Sequence, residues 1–174
     1  MKKHLHPALI AVTCLVTLFG IPVPAAAAKD ACGIMTSADA EAVLGEPVGA
    51  PRSMDRPSGD GEASVCEFRS SQSKGLKAKS LSVTAHYSNS DVRGSAPEIT
   101  SNLNAAGFTN VRQVSGVGDS AVWATRTMMG KPMGELTVLK GKSVMLTIIS
   151  NGVPDEASAL ERSKALAAKL LPKT

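Results

Sequence analysis

The N-terminal segment decides which part of this chain folds. Residues 1–28 contain no acidic residue, begin with the basic pair Lys2 and Lys3, and continue into an apolar run over residues 8–21. Ala26 and Ala28 then fit the small-residue pattern of a cleavage site. This order of basic, apolar and small residues predicts a secretory signal peptide. We therefore expect residues 29–174 to form a single exported domain.

Removing this leader changes what the charge of the chain implies. The leader holds two of the 19 basic residues and none of the 15 acidic residues, so the net charge falls from +4 to +2. A nearly neutral domain gives no electrostatic reason to expect a nucleic-acid partner. The apolar run of about 14 residues is shorter than the ~20 that a spanning helix needs. We therefore expect no stable membrane insertion after cleavage.

The cysteines indicate the compartment and a cross-link. Cys14 lies in the apolar run and leaves with the leader, whereas Cys32 and Cys66 remain as a pair. In an exported chain an even number of cysteines predicts a disulfide. A metal pair or a catalytic thiol would need further partners, and His86 is the only histidine after the leader. Neither Cys14 nor Cys32 lies in a lipobox, so we expect a soluble protein of the periplasm or the medium.

Hydrophobic periodicity and turn residues predict three helices and six strands. Residues 80–88 alternate most regularly, with Leu81, Val83, Ala85 and Tyr87 on one face. Helices are predicted at residues 36–44, 95–107 and 155–171, and strands at residues 63–70, 80–88, 111–115, 121–127, 135–140 and 143–150. Because hairpins outnumber βαβ units, we predict an α+β fold. It has a mainly antiparallel sheet of five to six strands, with two short helices and a C-terminal helix packed on it.

Apolar residues of the predicted helices are expected to face the core. Near the first helix they are Ile34, Val43 and Leu44, because a helix of two turns needs packing to persist. The closing helix is expected to bury one stripe, namely Ala157, Leu160, Ala167, Leu170 and Leu171.

Glycine and proline positions predict the connections. Residues 46–62 hold three prolines and three glycines among charged residues, which is typical of a long loop. Gly141 and Lys142 give the strongest hairpin signal. The Gly-Val-Gly-Asp segment at residues 116–119 lacks the third glycine and the lysine of a phosphate-binding loop. We expect a tight turn there, with the Asp119 carboxylate accepting from its own neighbouring backbone.

Several short motifs occur in an order typical of one bacterial family. Asp-Ala-Cys-Gly-Ile-Met-Thr-Ser opens the domain at residues 30–37, followed by Val-Leu-Gly at 43–45, Cys-Glu-Phe at 66–68 and Val-Gly-Asp-Ser-Ala-Val-Trp at 117–123. In these motifs the chain resembles the secreted or lipid-anchored bacterial proteins of domain of unknown function 3558 (DUF3558). The resemblance covers most of residues 30–171. It implies a cell-envelope α+β domain with a Cys32–Cys66 bridge, no established catalytic activity and no functional residues to transfer.

No complete catalytic set is evident in the sequence. His86 is the only imidazole after the leader, and it lies on the polar face of the strand 80–88. Met128, Met129 and Met133 cluster around a Gly-Lys-Pro turn, and thioethers are soft ligands that can bind Cu(I). Adaptable packing at a surface or core edge is the more common role of methionine. These three residues are therefore weak metal candidates.

Three other residues are candidates for contact with a ligand or partner. Arg52 and Arg56 lie in the predicted loop 46–62, and such loops often carry function; Trp123 is the third. The sequence favours a non-enzymatic exported envelope protein, which needs no cofactor and binds another envelope protein or a small apolar or anionic ligand. The alternative is a hydrolase-like periplasmic enzyme with scattered site residues, and a weaker one is a methionine-based copper-binding protein.

Overall fold

A computed structural model describes residues 30–54, 56–58, 61–88 and 94–174 of the chain. The predicted leader lies outside the described residues, and so does part of the predicted loop 46–62. Among the described residues, no helix is long and apolar enough to cross a membrane.

Four α-helices and eight strands are described. The helices are α1 (Ala31–Ile34), α2 (Ser37–Leu44), α3 (Ala96–Ala105) and α4 (Glu156–Leu170). The strands are β1 (Arg52–Ser53), β2 (Arg56–Ser58), β3 (Gly61–Arg69), β4 (Ser80–Ser88), β5 (Thr109–Val114), β6 (Ser120–Met128), β7 (Lys131–Lys140) and β8 (Val144–Asn151). Two 3₁₀ turns lie at Gly75–Lys77 and Leu171–Lys173.

The strands form one sheet, and the described pairings are antiparallel. The order across the sheet is β1-β3-β4-β8-β7-β6-β5, and β2 also pairs with β3. The predicted α+β class is therefore confirmed. The two additional strands, β1 and β2, lie in the segment predicted as a loop. They have two and three residues, too few for a hydrophobic period, and β2 contains Pro57, which strands tolerate mainly at a sheet edge.

The main core lies on one side of the sheet, which we call the core face. Helices α1, α2 and α4 cover this face and bury side chains that alternate along the strands. Ile34, Val43 and Leu44 are buried in this cluster, which confirms that prediction. The largest fully buried side chains include Trp123, Phe68, Leu81, Leu136, Leu146 and Ile148.

A disulfide attaches the first helix to the sheet. Cys32 of α1 is bonded to Cys66 of β3, with the two Cα atoms 4.9 Å apart. The predicted pairing is thereby confirmed. The peptide N–H of Ala31 also donates to Oγ of Ser64 on β3 at 2.9 Å. The cross-link and the hydrogen bond together hold α1 over the core face.

Helix α2 begins and ends where local chemistry predicts. Oγ1 of Thr36 accepts from the N–H of Asp39 at 3.3 Å, and the Asp39 carboxylate accepts from the N–H of Thr36 at 3.0 Å. The helix ends at Gly45, whose φ of 71° lies in the left-handed region. The Asp39 carboxylate also pairs with Lys169 of α4. Asp39, which completes the capping box of α2, therefore joins this helix to α4 as well.

Helix α4 buries a stripe that differs from the predicted one. Ala167 and Leu170 are buried as expected, but Ala157 is exposed and Leu160 is only partly buried. The buried residues are Ala159, Ser163, Leu166, Ala167 and Leu170. Their spacing of one to four residues is that of an amphipathic helix. Hydropathy does not single out a small polar residue such as Ser163 as a core position.

The opposite side of the sheet, which we call the second face, is covered in part by α3. Ile99 and Leu103 of this helix pack with Val122 and Ala124 of β6. From Ser80 to His86 the residues of β4 on the second face, such as Thr84, are only partly buried, whereas the alternate residues on the core face are fully buried. This confirms the predicted alternation over residues 80–86. It ends there, because Tyr87 is only partly buried and Ser88 is buried. One face of an antiparallel sheet is commonly solvated in this way.

The turn at residues 116–119 is hydrogen-bonded to the turn between β7 and β8. Gly116 and Gly118 have φ of 85° and 61°, as the predicted tight turn requires. The predicted local bond of Asp119 is wrong, however. Its carboxylate accepts from the N–H of Gly141 at 2.6 Å and pairs with Lys140. The partner lies in the next hairpin because β6 and β7 are adjacent, and sequence distance does not reveal this contact.

Candidate functional site

A cleft of about 260 Å³ opens at the end of the sheet where β6 ends, β7 begins and β8 continues toward α4. We call it the Trp123 cleft. It is lined by residues of three strands, the segment after β8 and the first turns of α4: Thr109, Asn110, Trp123, Thr125, Arg126, Thr127, Pro132, Met133, Gly134, Val153, Pro154, Glu156 and Ala159. Two other grooves lie between α2 and α4 and beside residues 116–118. The first of them contains the Asp39–Lys169 ion pair, and its remaining lining is mostly aliphatic.

Trp123 forms the floor of the cleft. Its side chain is fully buried on β6, and its ring lies against Gly134 of β7. A Cβ atom at Gly134 would approach Cη2 of Trp123 to 2.3 Å, so this position admits only glycine while the ring keeps its place. The indole Nε1–H donates to Oε1 of Glu156 at 3.2 Å. A buried indole is stable here because its N–H has an acceptor.

The Glu156 carboxylate collects three donors from two strands. Besides Trp123, Nη1 of Arg112 donates to Oε1 at 2.7 Å and Nδ2 of Asn110 donates to Oε2 at 3.1 Å. Asn110 has a φ of 52° and lies where the β5–β6 register shifts between Thr109 and Arg112. This bulge re-aims the side chains of β5. The network therefore joins the edge strand β5, its neighbour β6 and the start of α4.

These donors keep Glu156 ionised. The hydrogen bond from the Arg112 guanidinium is the main cause that lowers the pKa of the Glu156 carboxyl below its ordinary value of 4.5. Partial burial opposes this effect, and the charge of Arg112 and the hydrogen bonds from Trp123 and Asn110 lower the pKa further. The carboxylate is thus a fixed negative charge at neutral pH. With its hydrogen bonds already occupied, Glu156 is suited to shaping the cleft and poorly suited to accepting a proton from a substrate.

We expect Glu156→Gln to lower the free energy of unfolding by about 1 kcal/mol at neutral pH. A charge-assisted hydrogen bond usually stabilises a fold by more than about 1 kcal/mol. Here the Glu156 side chain is 36% exposed, so solvent screens its interactions and the expected loss is smaller. Because the folded-state pKa is depressed, this stabilisation is present above pH 4.5 and is lost as the pH falls through the lower folded-state value. Urea unfolding of both proteins across this range should therefore show curves that converge in acid. A difference that persists unchanged in acid would contradict this assignment.

Hydroxyl groups form the rim of the cleft. Thr109 and Thr125 face each other across the β5–β6 pair, and Oγ1 of Thr109 donates to the carbonyl of Thr125 at 3.1 Å. Thr127 follows on β6 and is exposed. Apolar contacts come from Pro132, Val153 and Pro154. The cleft thus combines hydroxyl groups with a small apolar wall, a mixture typical of sites that bind ligands.

The predicted binding residues do not all meet at this cleft. Trp123 is its floor, although its full burial leaves no exposed ring surface for stacking. Arg52 lies at the opposite edge of the sheet, where β1 pairs with β3, and is exposed. The side chain of Arg56 lies outside the described residues. The structure therefore places Arg52 far from Trp123 in the order of strands.

The methionine cluster does not form the hairpin tip that the sequence indicated. Strand β7 begins at Lys131, so the turn is Met129-Gly130 and Met133 is a buried strand residue. Nε of Arg126 donates to Sδ of Met133 at 3.5 Å, and Nη2 of Arg126 lies 3.9 Å from Sδ of Met128. A guanidinium between two thioethers disfavours a cation there. The prediction failed because Pro132 was interpreted as a turn residue, whereas it pairs with Thr127 in the sheet.

Exposure of the thioethers predicts an order of oxidation. Met129 is 80% exposed, Met128 is 44% exposed and Met133 is 4% exposed. With hydrogen peroxide, which transfers one oxygen to sulfur and leaves water, Met129 should form sulfoxide first and Met133 last. Peptide mass mapping over time measures the order, and the reactivity of all three should become equal in urea. Early oxidation of Met133 in the folded protein would contradict its burial.

No catalytic set is assembled among the described residues. His86 is partly buried on the second face of β4, and the described part of the chain contains no cluster of three metal-ligating side chains. Burial raises the pKa of the Glu135 carboxyl above its ordinary value, opposed by Thr137 and Arg126. Glu135 lies on β7 with Ala124 and Ile149 as its cross-strand neighbours. Neither neighbour carries a group for acid–base chemistry.

Sequence reasoning missed three residues that build the cleft. In the sequence, Glu156 is typical of an acidic residue in the first turn of a helix. No local pattern links it to Trp123, which lies 33 residues earlier. The residue type of Asn110 is one indication of an irregular backbone there, because asparagine tolerates a positive φ better than most residues. Gly134 lies inside a strand, where glycine often marks a close approach of another group.

Comparisons with known proteins add no assignment to this geometry. No protein-family model, no curated protein and no solved structure matches the chain. The resemblance to DUF3558 proteins accordingly stays a prediction from the sequence.

Proposed function

We propose that this protein is a non-enzymatic exported binding module that holds its partner in the Trp123 cleft. The observation that carries the proposal is the Glu156 network, in which one carboxylate accepts from Asn110, Arg112 and Trp123. This network fixes the walls of the cleft before any ligand arrives. Preorganisation of this kind lowers the cost of binding.

The cleft favours binding over chemistry. A general base needs a carboxylate or imidazole that is free to accept a proton from the substrate. The carboxylate in the cleft is Glu156, which is hydrogen-bonded on both oxygens and kept ionised by Arg112. The remaining polar groups of the lining are three threonine hydroxyls, the Asn110 amide and the guanidinium of Arg126, which lies over the ring of Phe108. These groups orient a ligand and do not activate it.

The partner class follows from the size and lining of the cleft. A volume of about 260 Å³ fits a small molecule or one to two residues of a peptide segment. Hydroxyl groups and a fixed carboxylate favour a polar, hydrogen-bonding group beside a short apolar one. We propose a small polar ligand of the cell envelope or an exposed segment of another envelope protein.

The experiment compares capture from native envelope extract by wild-type protein and by Thr127→Tyr. Thr127 is exposed at the cleft rim, so tyrosine fills the opening without entering the core. Gln113→Tyr is the matched control, because Gln113 is an exposed strand residue that does not line the cleft. We expect a specific partner on wild type and Gln113→Tyr that is lost on Thr127→Tyr. Equal recovery on all three proteins would contradict the proposal.

A further inference from the structure

The turn between β6 and β7 exposes two large apolar side chains. Met128 and Met129 are 44% and 80% exposed, and they are the exposed large hydrophobic residues of the described chain. Met129 has a φ of 52°, a left-handed conformation that is unfavourable for a residue other than glycine, asparagine or aspartate. The fold thus holds an unbranched thioether side chain outward, at a position where asparagine or glycine would cause less strain.

Four cationic side chains lie at the same end of the sheet as these methionines. Arg126 and Lys131 lie on the same hairpin, and Nζ of Lys131 donates to the carbonyl of Ala78 at 2.9 Å. That bond brings the 3₁₀ turn Gly75–Lys77 beside the hairpin, together with the exposed residues Lys74 and Lys77. Neither lysine forms an ion pair with a described residue.

Both turns are exposed to solvent. A Cβ atom built at Gly130 or at Gly75 would meet no other atom within 4 Å. The exposed residues of both turns are therefore accessible to a partner that binds at this end of the sheet.

The acids at this end of the sheet already have partners. Glu46 pairs with Lys79 and Glu67 pairs with Arg69. Asp155 accepts from the N–H of Ser158 at the start of α4. Asp155 keeps its negative charge, but Lys74, Lys77 and Lys131 form no ion pair with a described residue, so the charge left to attract a partner is positive.

We propose that the turns at 128–131 and 74–77 dock this protein on an anionic lipid surface. Met128 and Met129 enter the headgroup region, while Lys74 and Lys77 bind lipid phosphates. Exposed apolar residues ringed by cations are the combination that such interfaces bind, since each lysine or arginine adds electrostatic attraction. This is peripheral docking without a spanning segment, and it does not depend on the Trp123 cleft being a binding site.

The test is co-sedimentation with vesicles of phosphatidylglycerol and phosphatidylcholine, compared with phosphatidylcholine alone. The protein used lacks residues 1–28, because an apolar leader would bind lipid by itself. The described helices, strands and core lie within residues 30–174. We expect binding to the mixed vesicles that weakens as salt rises, and little binding to the neutral ones.

Three variants separate the contributions. Lys77→Glu should weaken binding to the mixed vesicles about fivefold or more, as expected for one lysine at an anionic surface. Lys142→Glu is its matched control, because Lys142 is exposed at the opposite end of the sheet, and it should bind like wild type. Met128→Ser combined with Met129→Asn should reduce binding at all salt concentrations, while a thermal melt confirms that this variant is folded.

Three results would overturn the proposal. One is binding to neutral and anionic vesicles alike, or to neither. The second is equal loss with Lys77→Glu and Lys142→Glu, which would indicate attraction by net charge without docking through these turns. The third is capture of an envelope protein through Met128 and Met129 in the absence of vesicle binding, which would assign the surface to a protein partner instead.

Discussion

Replacing Trp123 by alanine should lower the free energy of unfolding by about 3–5 kcal/mol. The side chain is fully buried in the core, so its loss removes apolar contacts and leaves a cavity. The substitution also removes a donor from Glu156. Urea unfolding followed by far-ultraviolet circular dichroism measures the change, because the variant has no tryptophan to report it. A loss below about 1 kcal/mol would contradict the packing described.

Gly134 supplies a control for this prediction. In the wild type, Gly134→Ala should be destabilising, because the added Cβ would lie 2.3 Å from Cη2 of Trp123. Without the indole ring both close contacts with Trp123 disappear, and the contact with Oγ of Ser150 at 3.3 Å remains. In the Trp123→Ala background the Gly134→Ala substitution should therefore cost much less, and the double-mutant cycle should give a coupling well above 0.5 kcal/mol. Additive effects would show that the two residues do not contact.

Replacing both Cys32 and Cys66 by serine should lower the free energy of unfolding by about 3–4 kcal/mol. The disulfide closes a loop over 34 positions, and loss of this cross-link enlarges the unfolded ensemble by about that amount. The hydrogen bond from Ala31 to Ser64 alone is expected to hold α1 on β3 less firmly. Urea midpoints of the oxidised wild type and the double variant measure the effect.

Reduced wild-type protein is the matched control for the serine variants. Cys66 is fully buried, so serine at this position adds a cost of burying a hydroxyl that a thiol does not have. Reduction removes the cross-link without that cost. The reduced wild type should therefore lie between the oxidised protein and the double variant. Identical stability of the oxidised and reduced proteins would contradict the role given to the cross-link.

The parts of the fold that were predictable are those specified by neighbours in sequence. Strand β4 alternates side chains, α2 has Thr36 before it and Gly45 after it, and Gly141 marks a hairpin. Each of these signals lies within about ten residues. The disulfide was predictable for a different reason. Two cysteines of an exported chain usually form a disulfide, and only Cys32 and Cys66 follow the predicted leader.

The parts that were not predictable depend on tertiary contacts. Glu156 meets Trp123, Arg112 and Asn110 only because β5, β6 and the start of α4 converge at one end of the sheet. The Asp119–Gly141 bond has the same cause. The sequence predicts a loop around Arg52, because the two residues of β1 are too few to show a hydrophobic period.

The cleft and the methionine turn lie at the same end of the sheet. Both are formed where β6 turns into β7, with Pro132 lining the cleft next to the start of β7. If the turn contacts an anionic surface as proposed, the cleft opens beside that surface. A partner of the envelope would then be reached from the membrane side.

The emission of Trp123, the only tryptophan in the chain, tests the proposed binding cleft most directly. The captured partner is titrated into wild type, Thr127→Tyr and Trp123→Phe with excitation selective for tryptophan, and the Trp123→Phe signal is subtracted as the contribution of the partner. We predict a saturable change in wild type and no change in Thr127→Tyr, in parallel with the loss of binding. A partner that binds wild type and Thr127→Tyr equally, with the emission of Trp123 unchanged, would contradict the account.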